Sequence, residues 1–114
     1  MTYPAKRAHK YGAKPTEADG IRFDSKAEAR RYYELKLMEK AGLIVNLELQ
    51  PRFDFVVNGQ KLPRTFYKAD FRYLDVETNE VVVEDVKGMI TPIYSLKKKL
   101  MKACHGIEIK EVCV

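Results

Sequence analysis

Val81-Val82-Val83-Glu84-Asp85-Val86-Lys87 opens with three β-branched residues and ends in charge. The valines predict a well-buried strand, and charges at the end of such a strand are costly unless they are paired or used. Side chains alternate along a strand, so Asp85 and Lys87 share one face and Val86 takes the other. A carboxylate and an ammonium therefore meet at one place.

N-terminal to this strand, Asp75 to Glu80 is polar and turn-like, with Asn79 at the expected hairpin tip. Residues 65–74 alternate, with Tyr67, Ala69, Phe71 and Tyr73 on one face and Lys68, Asp70 and Arg72 on the other, which predicts one strand. A hairpin through residues 75–80 brings Asp70 beside Asp85. Further upstream, Val45 to Gln50 and Phe53 to Val57 are short β-rich runs broken by Pro51, either two strands or one bent strand, and Asn58-Gly59 is a turn signal. A helix is expected from Asp24 or Ser25, either of which can cap it, to about Ala41, with Gly42 as its stop. Residues 1–20 lack apolar periodicity and contain Gly12, Pro15 and Gly20, so they read as a flexible basic arm ahead of a single domain over 21–114.

Downstream, Thr91-Pro92 opens a helix that Gly106 closes. Ile93, Leu96, Leu100 and Ala103 recur at helical spacing and are expected to be its buried stripe, leaving the lysines outward. Ile107 to Val112 reads as a final strand. The order is helix, three or four strands, helix, strand, which favours an α/β layer architecture.

Hard cations such as Mg²⁺ take oxygen ligands, commonly one or two carboxylates completed by water and substrate phosphate. Asp70 and Asp85 supply such a pair, with the Val86 carbonyl as a third oxygen and Lys87 placed to orient a water or stabilise a charged phosphate. The alternative is ion pairing on a solvent face, because Asp70 lies between Lys68 and Arg72 and Asp85 is two residues from Lys87. Glu28 has two readings as well. It fits a capping box with Ser25, yet it shares a helical face with Tyr32, Leu35 and Met38, which points it at the body of the protein. Gln50, just before Pro51, is a candidate for site support or simply a polar strand end. His9 and His105 have no ligand neighbours at transition-metal spacing and read as surface residues. Cys104 and Cys113 read as reduced and structural. No glycine-rich phosphate loop appears, so no nucleotide cofactor is expected.

The order of Glu28, Asp70 and Asp85-Val86-Lys87 across a helix and adjacent strands resembles the PD-(D/E)XK nuclease superfamily. Closer still, Lys10-Tyr11-Gly12-Ala13-Lys14, Gly20-Ile21-Arg22-Phe23-Asp24-Ser25-Lys26-Ala27-Glu28, Leu49-Gln50-Pro51-Arg52-Phe53 and Glu84-Asp85-Val86-Lys87-Gly88 look like a family of small phage proteins within that superfamily. The resemblance implies a restriction-endonuclease-like αβββαβ core with a central mixed sheet flanked by helices. It also implies Mg²⁺ or Mn²⁺ at Asp70 and Asp85, Lys87 as the catalytic lysine, and Glu28 as the helix carboxylate seen in Holliday-junction-resolving members. Ala69 stands where the superfamily name has proline, a position that only shapes the strand. Glu84 is a rival to Asp85 as ligand, but only Asp85 has the two-residue spacing to Lys87.

The 114-residue chain carries a net charge of +5, unevenly placed. Lys6, Arg7, Lys10 and Lys14, with Lys97, Lys98, Lys99 and Lys102, hold eight positive charges and leave the remainder at −3. Two basic patches on a slightly acidic body fit local contact with DNA phosphates. With 46% hydrophobic residues, no apolar run near the roughly 20 needed to span a bilayer and no apolar leader, a cytoplasmic protein without membrane contact is expected. The expected activity is a Mg²⁺-dependent endonuclease on branched DNA such as Holliday junctions, acting as a homodimer that makes two symmetric cuts. Nicked, flapped or duplex DNA is an alternative substrate, and a non-catalytic DNA-binding module is the alternative without chemistry.

Overall fold

The computed structural model describes residues 16–113. Thr16–Ala18 (β1) and Ile21–Phe23 (β2) form a short antiparallel hairpin turned at Asp19-Gly20, both with positive φ. Ala18 and Phe23 enter the core, so the stretch 16–20 is not part of a free arm, contrary to expectation: burying Ala18 against the main helix holds it down. Lys6, Arg7, His9, Lys10 and Lys14 lie outside the described residues.

Helix α1 spans Lys26–Lys40, with the Ser25 side chain accepting from the Glu28 backbone N–H at 3.1 Å. That satisfies one of the four orphan donors of the first turn. Gly42, at φ +79, carries the chain out beyond the helix end, a conformation glycine adopts without a Cβ penalty. The strands Ile44–Leu49 (β3), Arg52–Val57 (β4), Gln60–Lys68 (β5), Phe71–Asp75 (β6) and Glu80–Lys87 (β7) follow, then helix α2, Pro92–His105, and strand β8, Lys110–Cys113. The final strand thus begins three residues later than the Ile107 expected.

A four-stranded mixed sheet has the order β3-β6-β7-β8, antiparallel except for β8, which runs parallel to β7. The parallel pair is joined through α2, as parallel strands need a crossover. The β4–β5 hairpin is a separate two-stranded ribbon packed on α2. Two cores flank the sheet. Ala29, Tyr32 and Leu35 of α1 pack with Ile44, Phe71 and Tyr73 on one side. Phe53, Phe55, Tyr67 and Ala69 pack with Val83, Tyr94, Met101 and Ile109 on the other. Each fully buried side chain among these, such as Leu35, Phe55 or Met101, contributes about 1.5–3 kcal/mol of transfer free energy.

Two expectations are corrected. Residues 65–74 are two strands in different sheets, because the chain crosses at Ala69-Asp70 from the ribbon to the main sheet. There the Ala69 N–H donates to Pro51 O at 3.0 Å and the Asp70 N–H to Glu84 O at 3.1 Å. Tyr67, Ala69, Phe71 and Tyr73 are all buried, but the first two face the α2 core and the last two the α1 core. Helix α2 is also rotated from the expected stripe. Tyr94 and Met101 are buried, Leu100 and Cys104 partly so, while Ile93 and Leu96 are 66% and 57% exposed and Ala103 is exposed. Tyr94 turns inward because its ring packs near Tyr67 and its hydroxyl finds Glu111 at 2.7 Å, a partner a buried phenol needs. No helix among the described residues is long and apolar enough to cross a membrane.

Candidate functional site

Alternation along β7 sends consecutive carboxylates to opposite sides of the sheet. Glu84, fully buried, faces α1, where Arg31 donates from Nε at 2.8 Å and Nη2 at 2.7 Å, and the Tyr73 hydroxyl donates as well. The Glu84 hydrogen bonds push the Arg31 pKa further up. Glu84 is therefore committed to tying α1 to the sheet.

Asp85, 5% exposed, faces the α2 side. Its Oδ1 lies 3.2 Å from Lys87 Nζ, and its Oδ2 accepts from the Tyr67 hydroxyl. Lys87 in turn lies 3.8 Å above the Tyr94 ring, whose negative face suits an ammonium. Asp70 sits in the bend between β5 and β6 rather than on a strand face, and three bonds fix it there. Its N–H donates to Glu84 O, its carbonyl accepts from the Gln50 N–H at 2.9 Å, and its Oδ2 accepts from the Val86 N–H at 2.6 Å. The β6–β7 register pairs Phe71 with Glu84, which sets Asp70 opposite Asp85.

Glu28, buried on the first turn of α1, closes the group through a hydrogen bond to the Asp70 carboxyl. Its backbone meets Ser25, but its side chain meets Asp70, so both readings of this residue are partly realised. Gln50 contributes through its main chain, at a positive φ of 52. Val86 contributes its N–H, and strand geometry turns its carbonyl to the same edge.

Among the described residues, three carboxylates with one lysine make an acidic end of the sheet. Burial raises the Glu28 pKa to about 7, helped by the charge of Asp24. Burial raises Asp70 well above the carboxylate range, with the neighbouring charges of Glu28 and Asp85 adding to it. Burial also raises Asp85, against the opposing pull of Lys87. Burial and repulsion from neighbouring carboxylates thus raise Glu28 and Asp70 together. Among the described residues no three His, Cys, Asp or Glu side chains already surround a metal-sized point. Asp70 and Asp85 are the carboxylates that could hold a hard dication, which needs only one or two of them.

The lysines of α2 are more committed than their spacing suggests. Lys98 pairs with Glu111 at 3.0 Å and Lys102 with Glu108 at 2.7 Å, while Lys97 reaches the Phe66 ring and Lys99 is exposed. His105 is exposed, with Nε2 2.6 Å from Asp54 O. Cys104 and Cys113 are free thiols.

Tyr67, Tyr94 and Arg31 were not among the expected site residues. Parity along residues 65–74 puts Tyr67 on the face away from Asp70, and only the crossing at Ala69-Asp70 delivers it to Asp85. The one sequence signal for Arg31 is indirect: a glutamate inside a valine-rich strand demands a cationic partner somewhere. No curated protein and no solved structure matches the chain. A family model covers residues 8–112, and on that match the chain belongs to the DUF1064 family, whose description is "protein of unknown function".

Proposed function

We propose that this chain is a Mg²⁺-dependent DNA endonuclease with a restriction-endonuclease-like core, selective for branched DNA such as Holliday junctions. The observation that carries the reading is the meeting of Asp70, Asp85 and Glu28 with Lys87 at one end of the mixed sheet. The family resemblance of the motif order supports it and supplies the branched substrate. Asp70 and Asp85, with the Val86 carbonyl, would hold Mg²⁺ or Mn²⁺. Such an ion, when bound, would supply a lowered pKa for a water and charge compensation for the phosphate.

The chain's own residues do the rest. Tyr67 fixes one Asp85 oxygen and leaves the other beside Lys87. Lys87 presents its ammonium to the attacking water or to the charged phosphate. Glu28, at a pKa of about 7, accepts or returns a proton at working pH. Hydrolysis forms one P–O bond from water and breaks one ester P–O bond, the leaving alkoxide taking a proton. A two-fold homodimer would present two such ends to the two symmetric strands of a junction.

The test is incubation of pure protein with four-way junction, flap and linear duplex DNA, in Mg²⁺ or in EDTA, beside Asp70→Ala and Lys87→Ala. Metal-dependent cutting by the native chain, strongest on the junction and lost in both variants, is expected. Salt-sensitive binding with no cutting on any substrate, in Mg²⁺ or Mn²⁺, would make the chain a DNA-binding accessory module instead. Cutting retained in Asp70→Ala would relocate the site.

A further inference from the structure

Lys87 carries its charge on a flexible four-carbon stem, and its ammonium pairs with Asp85 Oδ1 at 3.2 Å. One ion pair does not fix such a stem. A second restraint is the Tyr94 ring, whose centroid lies 3.8 Å from Lys87 Nζ. With the carboxylate on one side and the ring face on another, the lysine side chain still has 22% of its surface open. A water or a phosphate oxygen can reach the ammonium there, because it has three N–H donors to share.

Tyr94 is itself held at two points. Its backbone N–H donates to Thr91 Oγ1 at 3.1 Å in the first turn of α2. Its hydroxyl donates to Glu111 Oε2 at 2.7 Å. Glu111 is the β8 partner of Asp85 in the parallel register, so the carboxylate that anchors the ring stands on the strand beside the one that carries the site. Lys98, four residues along α2 and on the same helical face as Tyr94, reaches the same Glu111 oxygen at 3.0 Å. The Tyr94 hydroxyl, and then Lys98, lower the Glu111 pKa, which keeps it a charged acceptor. Only 6% of Tyr94 is exposed, so the ring has little room to move away from Lys87. The other buried tyrosines beside β7 are used differently. Tyr67 and Tyr73 put their hydroxyls on Asp85 and Glu84, whereas Tyr94 offers its ring to the site and sends its hydroxyl to the edge strand.

We propose that Tyr94 is a positioning residue for Lys87: its ring face holds the ammonium beside Asp85, and Glu111 on the edge strand holds the ring. What Lys87 is positioned for rests on the nuclease reading, but the positioning is measurable without catalysis. A phenylalanine keeps the ring face and gives up the anchor. A leucine gives up both and leaves Asp85 alone to hold the ammonium.

The experiment is proton NMR of the full chain without metal, following the Lys87 ε-methylene signal, identified by its loss in Lys87→Ala. Ring currents shield protons above an aromatic face, so the signal should lie upfield of the other lysines in the native chain. Tyr94→Leu should return it to the ordinary lysine position, Tyr94→Phe should keep it upfield, and Glu111→Ala should move it part of the way. The second readout is single-turnover cleavage of four-way-junction DNA in Mg²⁺ at saturating protein. Tyr94→Leu should slow that rate about 2- to 30-fold, the span of a ring–ammonium contact, with DNA affinity unchanged. Tyr94→Phe should recover most of the rate. Leu100→Ala, a truncation packed on the same core, should keep the native signal and rate below its melting temperature, which separates positioning from loss of fold. A native signal at the ordinary lysine position, a signal unmoved in Tyr94→Leu, or a native cleavage rate in that variant would overturn the proposal. A signal unmoved in Glu111→Ala would overturn the anchoring by β8. A chain that cuts no DNA, yet shows an upfield signal lost with the ring, would overturn the nuclease reading and leave the positioning standing.

Discussion

Glu84 and Asp85 are neighbours on one strand, both buried, and their surroundings are built on opposite plans. On the α1 side Glu84 is matched by a two-pronged Arg31 and a tyrosine hydroxyl, with Lys110 3.9 Å away. At the acidic end, among the described residues, Asp85, Asp70 and Glu28 face a single lysine. A buried charge fully met by partners serves structure, because its removal strands the partner. Buried charges left in excess weaken the fold, and such an excess is where a cation is expected to bind. The two faces of β7 therefore differ, across one residue step, in how fully buried charge is met.

The largest effect expected from this contrast is on activity. Asp85→Asn or Lys87→Ala should lower the DNA-cleavage rate about 10²–10³-fold, the scale of removing a stabilising group from a phosphate-type site. Asp85→Asn should at the same time leave the thermal midpoint unchanged or raised. A variant that unfolds instead would place Asp85 with Glu84 as a structural residue and break the contrast.

Glu84→Ala should do the reverse, destabilising the chain by about 3–5 kcal/mol in urea unfolding by leaving the largely buried Arg31 with only the exposed Glu34 as a carboxylate partner. Replacing Arg31 and Glu84 together by Met and Leu should restore most of that loss. A cost under about 1 kcal/mol for Glu84→Ala would show that the pair does not hold α1 to the sheet.

A smaller effect is set by pH. Folding raises the proton affinity of Glu28, so its protonated form adds stability that is fully present below the unfolded value of 4.5 and is lost as pH rises through about 7. Asp70 and Asp85, also raised, act in the same direction. The metal-free chain should thus melt at lower temperature at pH 8 than at pH 5.5, and Glu28→Gln should flatten the dependence. On the proposed metal-binding reading, added Mg²⁺ should restore stability at pH 8 by offsetting the repulsion among the carboxylates. A flat profile in the native chain would mean that the carboxylates do not interact.

The smallest effect expected is that of Tyr67→Phe, about 0.5–1.5 kcal/mol for one lost hydrogen bond. Its signature is an upward shift in the Asp85 titration followed by NMR, because the hydroxyl lowers that pKa. Tyr73→Phe should cost a similar amount without moving the acidic end.

Much of the site was legible in local pattern. Strand parity alone joined Asp85 to Lys87, and the polar tip at 75–80 predicted the hairpin that sets Asp70 opposite Asp85. Helical spacing put Glu28 on the face of Tyr32 and Leu35, where it lies. Parity failed at Tyr67, since alternation records that a residue is buried and not which layer covers it. It failed at α2 for a related reason: two overlapping stripes are compatible with that sequence, and the partner Glu111 on β8 favours the one containing Tyr94.

What the sequence by itself determined is what the chain settles over a few residues. The Ser25 cap, the stops at Gly42 and Gly106, the Asn58-Gly59 turn and the alternation of β7 all follow from backbone conformation and periodicity, which need no distant partner. Only the tertiary structure decided that Arg31 meets Glu84 across 53 positions and that Tyr67 crosses to Asp85. Those pairings depend on which layers stack and on how buried charge is neutralised, and contacts so far apart along the chain leave no local signature.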